Sequence, residues 1–265
     1  MSGPAPAARA ESPFTELRGE RILETVARLA DRIDERFPDS GLSGVSHHLH
    51  AVAASAARDV PRLGRPIWPL RLFIVGAIAV LVAAAVWMAS LLFRVSLDPG
   101  NVSEALQGSD AARNDVIFLS LAIFFLVSLE TRVKRRRVLR SLHRLRTVVH
   151  IVDMHQLTKD PEHLLTPRVD TASSPERALS RFELARYLDY CSEMLSLTSK
   201  LAALHVQYVN DPVVLNAVND IETLAASLSN KIWQKIMIID IVASRVPAGS
   251  PEVNEQTQTQ GLPSA

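Results

Sequence analysis

The chain has 265 residues and a formal net charge of +1, its 29 Lys and Arg offset by 28 Asp and Glu. With 5% aromatic residues and no basic tract interleaved with them, it lacks the signature of a nucleic-acid partner. The single cysteine, Cys191, excludes an intrachain disulfide and leaves a cysteine-based zinc site without most of its ligands.

Residues 1–11, rich in Ala, Pro and Ser, read as a disordered N-terminus, and no apolar core with a cleavage site marks a removable signal peptide. Ser12-Pro13 is a cap followed by a proline that opens a helix without losing a needed donor. The same signature recurs at Asp160-Pro161, Ser174-Pro175 and Asp211-Pro212. From Phe14 to Phe37, the positions Ile22, Val26, Leu29 and Ile33 fall on one face of an amphipathic helix. A break from Pro38 to Gly41 precedes an Ala-rich helix over Ser43 to Val60. It carries His47, His48 and His50, of which only His47 and His50 share a face, so the trio reads as solvated helix surface. Pro61, Gly64, Pro66 and Pro69 form a stiff approach to the first long apolar stretch.

That stretch, Leu72 to Phe93, contains no charge, and its roughly 22 residues exceed the ~20 needed to cross a ~30 Å hydrocarbon core. The second apolar stretch, Val116 to Leu129, covers only about 21 Å at ~1.5 Å per residue. It therefore has to take in its neighbours, with Arg132 and Lys134 snorkelling to the headgroups. The expectation is a hairpin over 70–131, with spans of about 72–93 and 113–133 and an acidic extracytoplasmic loop over 94–112. Arg58, Arg62, Arg65 and Arg71 precede the first span, and a dense basic run follows the second, so the positive-inside rule puts both termini in the cytoplasm of a bacterial inner membrane.

Beyond the second span the helix keeps a heptad stripe, Val138, Leu142, Leu145, Val149 and Val152, as far as Leu157. Such a coiled-coil-like stripe needs cover. A helix from about Pro175 to Val209 carries two adjacent apolar stripes, Leu184, Leu188, Cys191, Leu195 and Tyr190, Met194, Leu197, Leu201, Leu204, which implies neighbours on more than one side. After Asp211-Pro212, Val214, Val218, Ile221, Ala225, Leu228 and Ile232 repeat on a last helix to about Ser244. The fold expected is all-α: N-terminal cytosolic helices over 12–68, the transmembrane hairpin, a cytosolic helical bundle over 132–244 that also draws in the N-terminal helices, and a disordered tail over 245–265.

No dinucleotide fingerprint, P-loop, zinc-protease motif or nucleophile elbow occurs, so no enzyme activity and no cofactor are expected. His150 and Asp153 are one helical turn apart, which makes them either a buried polar pair or two ligands of an incomplete metal site. His205, beside an apolar stripe, reads as a core histidine. The basic run, with Arg132, Lys134, Arg135, Arg136, Arg137 and Arg140 nearest the span, serves as an orientation signal or an anionic-lipid contact. Asp115 and Glu130 bracket the short span and are the candidates for a pore-lining or ion-sensing role. Small residues at Ala79 and Ala83, and at Ala85 and Ala89, would let helices approach closely within or between protomers.

Residues 150–162 and the stretch NAVNDIETLAASLSNKIWQKI from Asn216 to Ile236 resemble an uncharacterised family of bacterial two-span membrane proteins, and the similarity runs from the first amphipathic helix to Ile239. The resemblance implies bacterial origin and a membrane location. More loosely, two spans followed by a helical bundle is similar to two-span effectors of bacterial conflict systems. The function expected is a non-enzymatic inner-membrane protein whose bundle self-associates, as a homo-oligomer, or docks a cytosolic protein, coupling membrane to cytosol. The alternatives are an oligomeric ion channel or pore-forming effector, and a membrane-tethered metal-dependent enzyme built on His150 and Asp153.

Overall fold

The structure, a computed structural model, describes residues 16–95, 102–161 and 179–245, and every regular element among them is helical. In chain order these are α1 (Gly19–Arg36), α2 (Gly41–Leu63), α3 (Trp68–Val95), α4 (Val102–Leu157), α5 (Arg181–Val206) and α6 (Pro212–Arg245).

Ser12-Pro13 lies outside the described residues, but 16–18 are not helical, so α1 begins later than the expected start at Phe14. Its periodic face, Ile22, Val26, Leu29 and Ile33, is buried, whereas Leu17, two residues before the helix, is exposed. Asp39 takes a left-handed conformation (φ 54°) in the turn to α2, which short polar residues tolerate best. Ser40 then caps α2, its hydroxyl accepting from the Ser43 N–H at 3.2 Å. The helix exceeds the expected 43–60 at both ends, since Pro61 sits in its last turn without ending it.

Two further boundaries differ from expectation. The loop expected over 94–112 is mostly helical: α3 runs to Val95 and α4 starts at Val102. The polarity of that stretch suggests a loop, but Glu104, Ala105, Leu106, Gln107, Ala111 and Ala112 are good helix formers, and polarity alone does not oppose a helix. At the other boundary, Ser174-Pro175 lies outside the described residues, and α5 opens at a full capping box instead. There the Ser180 hydroxyl accepts from the Glu183 N–H at 3.3 Å, and the Glu183 carboxylate accepts from the Ser180 N–H at 2.8 Å.

The long element α4 is 56 residues without a break, about 84 Å of helix. Its two halves have different surroundings. Val138, Leu142, Leu145, Val149 and Val152 are all buried among α2, α5 and α6. Both stripes of α5 are buried too, because α5 touches α1, α2, α4 and α6. The apolar face of α6 from Val214 to Ile232 closes the same core.

Among the described side chains of α3 and of α4 from Val116 to Val127, many of the large apolar ones point outward. Trp68 is 73% exposed and Trp87 63%, and Leu72, Phe73, Val80, Phe118, Leu121, Phe124 and Val127 are exposed as well. These two helices are long and apolar enough to cross a membrane.

Candidate functional site: the polar junction on α4

Between the two halves of α4 its polar side chains reach three different helices. Glu130 comes first. Its carboxylate accepts from Arg71 Nε at 2.8 Å, from Lys134 Nζ at 3.1 Å and from the Ile67 N–H at 3.4 Å, and its side chain is only 15% exposed. One carboxylate thus ties the first turn of α3 to α4.

A turn further along, both Arg135 donors reach Asp211 Oδ2, Nε at 2.8 Å and the terminal nitrogen at 2.7 Å. Asp211 is 5% exposed, and its other oxygen caps α6 by accepting from the N–H groups of Val213 (2.9 Å) and Val214 (3.3 Å). Burial pushes the Asp211 carboxyl up, but the Arg135 guanidinium and the two backbone donors outweigh it and hold it below the usual aspartate value. A single side chain therefore starts α6 and fastens it to α4.

The third contact is Ser141, whose hydroxyl donates to His205 Nε2 at 2.9 Å while His205 Nδ1–H donates to the Leu201 carbonyl at 2.8 Å. With the buried ring neutral, its carbonyl partner puts the proton on Nδ1 and leaves Nε2 as the acceptor. His205 is fully buried. Burial pushes its imidazole below the ordinary histidine value, backbone hydrogen bonding at Leu201 and Ala202 pushes partly back, and the Arg144 charge adds to the fall. A base whose folded value lies below its unfolded one costs stability when the medium supplies protons. Stability is therefore complete above about pH 6.5 and declines as pH falls through that value. Melting of the purified protein should drop between pH 7.5 and 5.5, and His205→Gln should flatten that dependence.

The remaining basic residues are disposed differently. Arg132 lies over the Phe125 ring at 5.2 Å. Arg136, Arg137 and Arg140 are exposed and, among the described residues, make no ion pair. Asp115 lies in α4, with its side chain outside the described residues.

No hydrogen bond or ion pair joins His150 to Asp153. His150 is exposed, and Asp153 accepts instead from Gln156 Nε2 at 2.7 Å. Among the described residues no group of three or more His, Cys, Asp or Glu is arranged to hold a metal ion. Sequence reasoning missed the residue that organises this end of α4, which is Lys235 of α6. Its ammonium donates to the carbonyls of Gln156 (2.8 Å) and Lys159 (3.3 Å), placing a positive charge against the C-terminal end of α4 and the turn that follows it. Burial pushes Lys235 below the usual lysine value, with Asp160 and Asp153 opposing. His155 packs against α2 so closely that a Cβ on Gly41 would come 2.5 Å from its Cε1. Of the three histidines on α2, His47 pairs with Asp34 at 2.8 Å.

Cys191 is fully buried, and its thiol is pushed up to about 12 by burial, so it is no nucleophile. On the outer face of α5 and α6, Phe182, Ala185, Ile232, Trp233 and Ile236 line a shallow groove of about 290 Å³, with the Arg186–Asp189 pair beside it.

No protein-family model, no curated protein and no solved structure matches this chain.

Proposed function

We propose that this is a non-enzymatic protein of a bacterial inner membrane, with α3 and α4 as two spans, both termini in the cytosol, and the packed helices as a cytosolic bundle. Its role is to couple the bilayer to that bundle. One observation carries this reading: α4 runs unbroken from the apolar hairpin into the core and is fastened on either side of the boundary, by Glu130 to α3 and by Arg135 to the start of α6. A continuous helix fastened on both sides of that boundary transmits tilt or translation. Trp68, exposed at the start of α3 and just before the uncharged run, suits the membrane placement, since tryptophan prefers the bilayer edge. The bundle self-associates or docks a cytosolic protein, and the α5–α6 groove, with exposed Phe182 and Trp233, is the face suited to that contact.

Hydrogen exchange in bilayers of short- and long-chain lipid tests the coupling. The first turn of α6 should exchange at different rates in the two, because mismatch tilts α4 and loads the Arg135–Asp211 contact. Four glycines inserted after Arg132 should erase the difference. Identical exchange in thin and thick bilayers for the natural protein contradicts the proposal.

A second reading, an oligomeric pore, draws on the register of the hairpin. Counting equal rises from the Glu130–Ile67 contact, Asp115 stands level with Val82, well inside the apolar run of α3. An ionisable residue at that depth favours a water-filled or protein-lined setting. Ion flux into liposomes that Asp115→Asn abolishes would support the pore, and tight vesicles would exclude it.

A further inference from the structure

We propose that Arg136, Arg137 and Arg140 of α4 form a binding surface for the headgroups of acidic phospholipids in the cytosolic leaflet. The proposal rests on the membrane reading and adds a ligand class to it.

The basic run looks uniform in sequence, and the structure divides it. Lys134 and Arg135 are spent on Glu130 and Asp211, and Arg132 on the Phe125 ring. Arg136, Arg137 and Arg140 remain, exposed and, among the described residues, without acidic partners. They stand at i, i+4 and i, i+3 spacing, so their guanidinium groups share one face. The other face, with Val138, Leu142 and Leu145, is buried, so the arginines cannot turn inward. From Thr131 to Val152 the helix contains no Asp or Glu, and the positive surface is uncompensated along its own helix.

Three physical features aim that surface at lipid. First, the residues lie about 9–15 Å beyond Glu130 along the axis. The headgroup layer extends several ångströms past the hydrocarbon, and charge interactions reach roughly 8–10 Å further at physiological salt. Second, Cα–Cβ bonds in a helix tilt toward its N-terminus, and α4 leaves the apolar hairpin N-terminus first, so these long side chains lean back toward the bilayer. Third, the run over 132–146 holds seven arginines and one lysine. An orientation signal needs only positive charge, which lysine supplies equally well. A planar fork that can engage two phosphate oxygens at once is what arginine adds.

The experiment is native mass spectrometry of the full chain, purified in detergent and offered equal amounts of phosphatidylglycerol and phosphatidylcholine. The natural protein should retain the anionic lipid in preference by about tenfold or more. Arg136→Gln/Arg137→Gln/Arg140→Gln should bring the preference close to parity without changing the melting temperature in lipid-free detergent. The corresponding triple Lys variant, which keeps charge and orientation, should fall between. Parity in the natural protein, or an undiminished preference in the triple Gln variant, overturns the proposal. Loss of the preference on adding inorganic phosphate would assign the surface to a soluble phosphate ligand and overturn it equally.

Discussion

Leu145→Ala is expected to destabilise the packed helices by about 2–5 kcal/mol, the range for deleting a buried leucine side chain, and to lower melting by about 5–15 °C for a packed unit of this size. Leu145 is fully buried in the middle of the α4 stripe, and α4 is covered by α2, α5 and α6 together. A cavity there has rigid walls on several sides and collapses poorly, which places the cost in the upper half of the range. Leu157→Ala supplies the contrast. That leucine sits at the exposed end of the same helix, and its removal should change stability by no more than about 0.5 kcal/mol. Thermal unfolding followed by circular dichroism separates the two, and equal shifts would mean that the α4 stripe is not the core.

Asp211→Ala should cost about 2.5–4 kcal/mol, from a lost helix cap of about 1 kcal/mol and lost charge-assisted hydrogen bonds of about 1.5–3 kcal/mol. The Arg135 side chain is 38% exposed, so part of its charge returns to water, and the lower half of the range is the better expectation. Asp211→Asn tests the division. It keeps an acceptor for the Val213 and Val214 N–H groups and surrenders the charge facing Arg135, so roughly half of the loss should return. If Asp211→Asn is as damaging as Asp211→Ala, the ion pair alone carries the effect; if it is silent, the junction on α4 does not depend on charge.

Much of the architecture is legible in the residues themselves. Two charge-poor apolar runs announce the hairpin. The periodic apolar positions of α1, α4, α5 and α6 are the positions found buried, because a helix in contact with others has no other way to satisfy its faces. Asp211-Pro212 marks the start of α6 as a cap should. The start of α5 is legible too, in the spacing of Ser180 and Glu183, but the cap-then-proline pattern at Ser174-Pro175 competes with it.

Most of the junction is not legible. Arg135 and Asp211 are separated by 76 positions, and nothing local in the run from Arg132 to Arg140 tells Arg135, which is paired, from Arg136 and Arg137, which among the described residues are not. For Lys134 a local signal exists, since Glu130 stands four residues before it, but the pairing of Arg135 depends on which side of α4 faces α6, which only the tertiary packing decides. For the same reason the spacing of His150 and Asp153 misleads. Adjacency on a helix brings two side chains within reach, but Gln156, one turn further on, takes Asp153 while His150 faces solvent. Lys235 escapes notice because an ammonium that caps another helix leaves no mark in its own sequence neighbourhood.

The central claim, that α4 is one rigid helix joining the apolar hairpin to the packed core, is tested most directly by a distance measured along it. Spin labels at Val127 and His150, both exposed, can be introduced with Cys191 left in place, since that thiol is buried and unreactive. In a bilayer the labelled backbone positions should stand about 35 Å apart, with a single narrow distribution. A short or broad distribution would mean that the helix breaks between the two labels, and the bilayer and the packed helices would then move independently.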